Sequence, residues 1–365
     1  MKPRSFRFAA ILAIFLTFAL TSVQAIQASA GSAPAAAEGS AGLLMPRPGP
    51  AVRTLNTAGV TGGTLFGGTY PLVAEQSTLG RKLSIVRLYY MIGQKFTTPK
   101  VKQLMSAGTT VLASLDVPIG HGITYASIAA GRQDTQILAW LTQAEQNAVT
   151  YHIPAVYVAF EHEANNPPNH VNGTPAQFVQ AWDHIHALAA KAHLNFGTGG
   201  RLRWALILMH LAYFTVSERP KWSLRIGFAS DYWPGSANVN VVAADGYNRG
   251  GCRAHASPKP TQPSVTPGSL FNPVLDFAQS HGNKPVFLAE WASAAFSALP
   301  GWQAHYIGEM KAYVHANPRL AAVMYWDQQG HSEGGGYNSC SFAVNGHPQS
   351  LTVLKSMAQS LHGHI

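Results

Sequence analysis

Apolar runs of six or seven residues recur along the chain, separated by stretches in which apolar positions return with helical spacing. Eight such runs stand out, over 64–69, 84–90, 109–115, 155–161, 203–209, 239–245, 285–290 and 321–326. Several of the intervening segments carry helix starts. Thr98-Pro99 places a cap residue before a proline at the first helical position, with a stop near Gly108. Thr174-Pro175-Ala176-Gln177 reads as a capping box opening a helix to about Ala192. Asn272-Pro273 opens another, closed by Gly282, and 134–149 has helical spacing through Ile137, Leu138, Leu141 and Ala144. Strand and helix alternating eight times predict an α/β fold of the (β/α)8 barrel type, a TIM barrel. A doubly wound open sheet is the rival, but no Gly-x-Gly-x-x-Gly follows a strand.

Charged residues make up only 11% of the chain, so the placement of carboxylates carries information. Asp116, Glu161, Glu163, Asp245, Glu290 and Asp327 all fall at or just beyond the ends of predicted strands. Barrel active sites form at those ends. The run Ala155-Val156-Tyr157-Val158-Ala159-Phe160 leads straight into Glu161-His162-Glu163-Ala164-Asn165, and Pro285-Val286-Phe287-Leu288-Ala289 into Glu290-Trp291. Two carboxylates on the ends of separate buried strands, among aromatic residues, are what acid/base hydrolysis of a glycosidic bond requires.

The N-terminus reads as an export signal over 1–30. Lys2, Arg4 and Arg7 precede an apolar run over 8–20, and cleavage is expected near Ala25 or Ala30. An Ala/Gly/Pro-rich linker over 31–55 follows, then a single domain over 56–365. No later segment has the length and apolarity of a membrane helix; 204–216 is the nearest, and His210 interrupts it. The product is therefore expected to be secreted and extracellular, with no integral membrane segment after signal removal. In that setting Cys252 and Cys340 are expected to form a disulfide, two separate thiols being the alternative. The net charge of +9 allows association with an anionic cell surface. Lys and Arg are scattered, with no basic run interleaved with aromatics, which argues against a nucleic-acid partner. Asn166 stands where His-Glu-x-x-His would need its second histidine, so no metal site is expected there. Gly-x-Ser-x-Gly is absent, which lowers an esterase reading.

Taken in order, the motifs resemble glycoside hydrolase family 26, barrel enzymes best known as β-mannanases. The segment Ile128-Ala129-Ala130-Gly131 with Asp134, Ile137 and Trp140 resembles the family's approach to its fourth strand. His162-Glu163-Ala164-Asn165 is similar to its His-Glu-x-Asn, and Tyr232-Trp233-Pro234-Gly235 and Asp245-Gly246-Tyr247-Asn248 to its sixth-strand signatures. Lys284-Pro285 to Glu290 resembles the nucleophile strand, and Val323-Met324-Tyr325-Trp326 the eighth. The resemblance implies a retaining β-glycosidase that needs no cofactor, with Glu163 as acid/base and Glu290 as nucleophile. It further implies that His162 and Asn165 shape the sugar site, that Tyr247 hydrogen-bonds the nucleophile, and that Trp326 forms an aromatic floor. Trp233, Trp291 and Tyr90 are candidates for extending that floor, with ordinary packing as the alternative.

Three departures stand beside this likeness. Ala159 occupies the position, four before the acid/base, where the family often has arginine. Glu161 shares strand parity with Glu163 and is expected on the same side, where it would bind substrate, raise the pKa of Glu163, or itself be the acid. Asn166-Pro167-Pro168-Asn169-His170 replaces an aromatic run, leaving mannan as the first substrate expectation with β-glucan or xylan behind it. A catalytically silent carbohydrate-binding barrel and a cell-envelope glycan-processing hydrolase are the alternatives.

Overall fold

The computed structural model describes residues 58–252, 258–328 and 340–365; the expected signal and linker lie outside them. Eight parallel strands close into a barrel in sequence order. They are β1 (Leu65–Thr69), β2 (Ile85–Met91), β3 (Thr110–Asp116), β4 (Val156–Phe160), β5 (Leu202–Met209), β6 (Val241–Asn248), β7 (Val286–Ser293) and β8 (Leu320–Tyr325). Each corresponds to one of the eight apolar runs. The α-helices are α1 (Gln76–Leu79), α2 (Pro99–Ser106), α3 (Tyr125–Ala129), α4 (Asp134–Thr150), α5 (Pro175–Lys191), α6 (Pro267–Ser280), α7 (Gly301–Ala316) and α8 (Pro348–Ser360).

Local chemistry accounts for several boundaries. Thr98 Oγ1 accepts the Val101 amide at 3.2 Å and starts α2. Thr174 and Gln177 exchange the two bonds of a capping box at the start of α5. The expected start at Asn272-Pro273 is corrected: an earlier Thr-Pro pair opens α6, with Thr266 Oγ1 accepting the Ser269 amide at 3.1 Å. Pro273 then lies inside the helix, which carries it at the loss of a backbone hydrogen bond.

Two apolar layers hold the barrel. Leu65, Ile85, Leu112, Tyr157, Ile207, Val241, Phe287 and Met324 pack inside it, so its interior is a filled core and not a channel. Trp140, Trp182, Trp204, Tyr306 and Met310 fill the outer layer between strands and helices. A disulfide joins Cys252 to Cys340 across 88 residues of sequence, with Cα atoms 5.3 Å apart. Among the described residues no helix is long and apolar enough to cross a membrane.

Two irregularities at the upper end shape the barrel mouth. β4 stops at Phe160, and both Glu161 (φ +48°) and Glu163 (φ +52°) adopt left-handed backbone, which costs a non-glycine residue about 1–2 kcal/mol. In β7, Ala244 pairs with Leu288 and Asp245 with Glu290, so Ala289 is an extra residue that the β6 ladder skips.

Candidate active site

The β7 bulge decides which side chains reach the barrel mouth. Phe287 and Ala289 belong to the interior core, and strict alternation from them would send Glu290 outward and Trp291 inward. The extra residue reverses that order. Glu290 faces the mouth, while Trp291 is fully buried in the outer layer, edge-on to Tyr325 with centroids 5.0 Å apart.

Two hydroxyl donors and a guanidinium from two other strands surround Glu290. The Tyr89 hydroxyl donates to Oε1 at 2.5 Å, the Tyr247 hydroxyl donates to Oε2, and Arg87 Nε lies 3.9 Å from Oε1. Arg87 and Tyr89 share the inward parity of Ile85 on β2, as Tyr247 and Asp245 share that of Val241 and Ala243 on β6. Buried Arg87 is fixed by a bond from Nη2 to Ser114 Oγ at 2.7 Å and lies 4.4 Å over the Tyr89 ring. A guanidinium and two phenols thus aim the carboxylate at one point.

Glu163 enters from the loop after β4. Its amide donates to Ile207 O at 3.0 Å, and its Oε2 accepts the Asn166 side-chain amide at 2.9 Å. Burial raises the pKa of this carboxyl, the charge of His162 draws it back, the charge of Glu290 raises it again, and the balance is upward. His162 has its own anchor. Its amide donates to Asp116 Oδ1 at 3.1 Å and its Nδ1 lies 3.0 Å from the same oxygen. Burial disfavours the imidazolium, but the charge and hydrogen bond of Asp116 outweigh it and lift the His162 pKa to about 10.

Asp245 is a third carboxyl in the cluster. It is 1% exposed, and neither of its oxygens has a hydrogen-bond partner. Burial first, then the charges of Glu290 and Glu163, push its pKa well above the carboxylate range. The site therefore holds one carboxyl ringed by hydroxyl and guanidinium groups beside two carboxyls whose pKa values are raised.

Parity does not place Glu161 beside Glu163, because the strand has ended and both residues leave extended backbone. Glu161 is buried; its Oε2 accepts the Val117 amide at 2.5 Å and its Oε1 the Asn172 side-chain amide at 3.1 Å. Burial, then repulsion from Asp116, raises its pKa to about 8. It ties the loop after β3 to both ends of the β4–α5 connection. Asn165 is also fully buried, with Oδ1 accepting the Met209 amide at 3.1 Å, which fastens the Glu163 loop to β5, while its side-chain nitrogen has no hydrogen-bond partner among the described residues.

Of the aromatic candidates, the structure brings Trp326 and Tyr247 together at the mouth. The half-buried Trp326 ring stands 5.9 Å from Tyr89 and 6.5 Å from Tyr247, and His162 is 5.3 Å from Tyr89. For the other three the packing alternative is what the structure places: Trp233 packs on Phe277 and His281 of the α6 region, Trp291 is in the outer core, and Tyr90 packs on Phe96 and Trp140. In Tyr89-Tyr90 the inward partner is Tyr89, one residue earlier. Arg87 and Tyr89 were legible as the inward positions of β2, but acidic residues alone do not reveal them. Among the described residues, no group of three His, Cys, Asp or Glu side chains is arranged to hold a metal ion.

No protein-family model matches the sequence, and no curated protein matches it. Solved structures do share the fold. A fungal β-1,4-galactanase structure aligns at 12% identity with a TM-score of 0.50, over 81% of this chain and 99% of its own. An exo-β-1,4-mannosidase from an Opitutaceae bacterium aligns at 11% identity and 0.55, over 82% of this chain and 60% of its own. A broad-specificity endoglucanase from Clostridium longisporum aligns at 12% identity and 0.51, over 80% and 86%. At such identities the likeness is one of fold.

Proposed function

We propose that this barrel is a secreted retaining glycoside hydrolase that cleaves a β-linked polysaccharide, β-mannan first among the substrates. The observation that carries the reading is the contrast between Glu290, ringed by Tyr89, Tyr247 and Arg87, and Glu163, whose carboxyl is shifted toward its protonated form. Oriented donors suit a nucleophile, and a raised pKa suits a general acid. Glu163 gives its proton to the glycosidic oxygen as Glu290 attacks the anomeric carbon, and the bond from that carbon to the leaving oxygen breaks. Glu163, now a carboxylate, takes a proton from water, whose oxygen displaces Glu290 from the sugar. Tyr89 and Tyr247 orient the attacking carboxylate, and Trp326 offers a ring face to the sugar's C–H surface.

Two of the structures with similar folds carry names denoting β-1,4-linked substrates, the linkage class proposed here. The family 26 assignment and the preference for mannan are part of the same proposal. Arg87, reaching Glu290 from β2, supplies a guanidinium that Ala159 cannot, and this weakens the silent-barrel alternative. The basic net charge supports a variant in which the enzyme works on glycans at an anionic cell surface.

The test is reducing-sugar release from mannans, β-glucans and xylans, with Glu163→Ala and Glu290→Ala alongside. Activity on one polymer, lost by orders of magnitude in both variants and with retained anomeric configuration, is expected. Activity untouched by Glu290→Ala would overturn the assignment.

A further inference from the structure

A cavity of about 760 Å³ adjoins the barrel mouth, between the ends of β1 and β2 and the start of α2. Tyr89 belongs to both places: its hydroxyl bonds Glu290 and its side of the β2 end lines the cavity. The lining also includes Arg87, Lys95, Lys100, Tyr70 and Gln94, and no acidic residue is among its described lining residues.

Neither Lys95 nor Lys100 forms an ion pair with a carboxylate among the described residues. Lys100 Nζ is 3.5 Å from the centroid of the Tyr70 ring, a cation–π contact that holds the ammonium in place without neutralising it. Burial lowers the Lys100 pKa, as it does for a cation taken partly out of water. The contrast with the cavity of about 590 Å³ at the opposite end of the barrel is informative. There Arg81 donates to Ala358 O and Leu361 O, and Lys82 donates to Ala107 O, so the cations are spent on backbone carbonyls.

We propose that this cavity is a subsite for a sugar unit bearing an anionic substituent, a uronate carboxylate or a sulfate ester, on the polysaccharide whose linkage meets Glu163 and Glu290. The inference rests on the glycosidase reading and departs from its first substrate, since unsubstituted β-mannan carries no anion. Ammonium groups at Lys95 and Lys100 pair with the anion, Gln94 offers an amide, and the shared Tyr89 makes the subsite continuous with the reacting centre. The net charge of +9, of which Lys2, Arg4 and Arg7 of the expected signal supply three, leaves a basic product that would also draw an acidic polymer by long-range attraction.

The test uses the full chain with Glu290→Ala, so that ligand is not consumed, and titrates oligosaccharides by calorimetry. The probes are glucuronate-bearing xylo-oligosaccharides, β-linked oligoglucuronates and sulfated β-galacto-oligosaccharides, each beside its carboxyl-reduced or desulfated counterpart. At least one acidic probe is expected to bind about tenfold more tightly than its neutral counterpart at low salt. Which member does so separates carboxylate from sulfate. Adding Lys95→Gln and Lys100→Gln should close that gap with melting unchanged, and about 0.5 M salt should shrink it. Equal binding within every pair, or a gap that survives both lysine substitutions, would overturn the subsite. Lysine-dependent binding of an acidic probe with no hydrolysis by the unsubstituted chain would sink the glycosidase reading and keep the subsite. Hydrolysis of neutral polymers with no charge preference would do the reverse.

Discussion

Asp245 and Glu290 are direct partners across the β6–β7 ladder, yet Glu290 accepts two hydroxyl hydrogen bonds with a guanidinium 3.9 Å away, and Asp245 has no hydrogen bond to either oxygen among the described residues. Two adjacent buried carboxyls cannot both carry charge cheaply, and burial with the charge of Glu290 raises the pKa of Asp245. The bulge at Ala289 creates this adjacency. An uninterrupted β7 would put a tryptophan at the mouth in place of the acid.

Because Asp245 favours its proton, an amide of the same shape should replace it with little disturbance. Asp245→Asn is expected to melt within about 1 kcal/mol of the parent near neutral pH, the range of an ordinary tolerated substitution. Glu290→Gln should fold as well but lose turnover by orders of magnitude. Thermal melts and initial rates on the same two preparations check both statements, and a collapse of the Asp245→Asn fold would show that the acid is ionised.

Tyr247→Phe and Tyr89→Phe each remove one oriented donor from Glu290 and leave the ring packing in place. Each is expected to lower kcat by about 10²-fold, the usual cost of a lost preorganised donor, with KM changing far less. Steady-state kinetics on a soluble oligosaccharide give the split. A drop confined to KM would make these tyrosines binding groups only.

The proton on Glu163 links pH to rate. Its raised pKa places the alkaline fall of kcat/KM above the range of an exposed glutamate, since the reaction needs the protonated acid. His162 opposes that shift, and its charge depends on Asp116. Asp116→Asn should therefore bring the His162 pKa down from about 10, weaken the cation beside Glu163 and move the alkaline limb to still higher pH. Glu290→Gln should do the opposite to Glu163, which carbon-detected NMR of the carboxyl can follow in an inactive protein.

The barrel was legible because fully buried strands must be apolar runs and helix caps are local chemistry; Thr98 and Thr174 need only their own neighbours to do their work. The gathering of Glu163 and Glu290 at one end of the barrel was legible as well, because both acids stand at the ends of apolar strands, and parallel strands closed into a barrel all end on the same rim. Orientation was not legible. By its neighbours Trp291 reads as a sugar platform, but the extra residue at Ala289 turns it outward, and Glu161 shares with Glu163 a parity that ends where β4 ends. Such local breaks in alternation depend on how neighbouring strands pair, which no single segment encodes. Arg87 was legible as an inward position of β2, but its role was not, because the family's guanidinium stands just before the acid and this one arrives from a different strand.

Glu161 gives a stability prediction of its own. Its pKa rises from 4.5 to about 8 because burial and Asp116 disfavour its charge. The folded state thus binds more protons than the unfolded chain between those values. Its stabilising contribution is full below the unfolded pKa and is lost as pH rises through about 8. Glu161→Gln stays neutral at every pH and can still accept the Val117 amide, while the Asn172 amide can turn to present its oxygen to the new NH2. The variant should therefore lose ground to the parent at pH 5 and gain on it at pH 9, with the difference in unfolding free energy changing sign or narrowing between them. Denaturant titrations at the two pH values measure this directly. A constant difference across the range would mean that Glu161 is ionised throughout, and that the Val117 and Asn172 donors outweigh its burial.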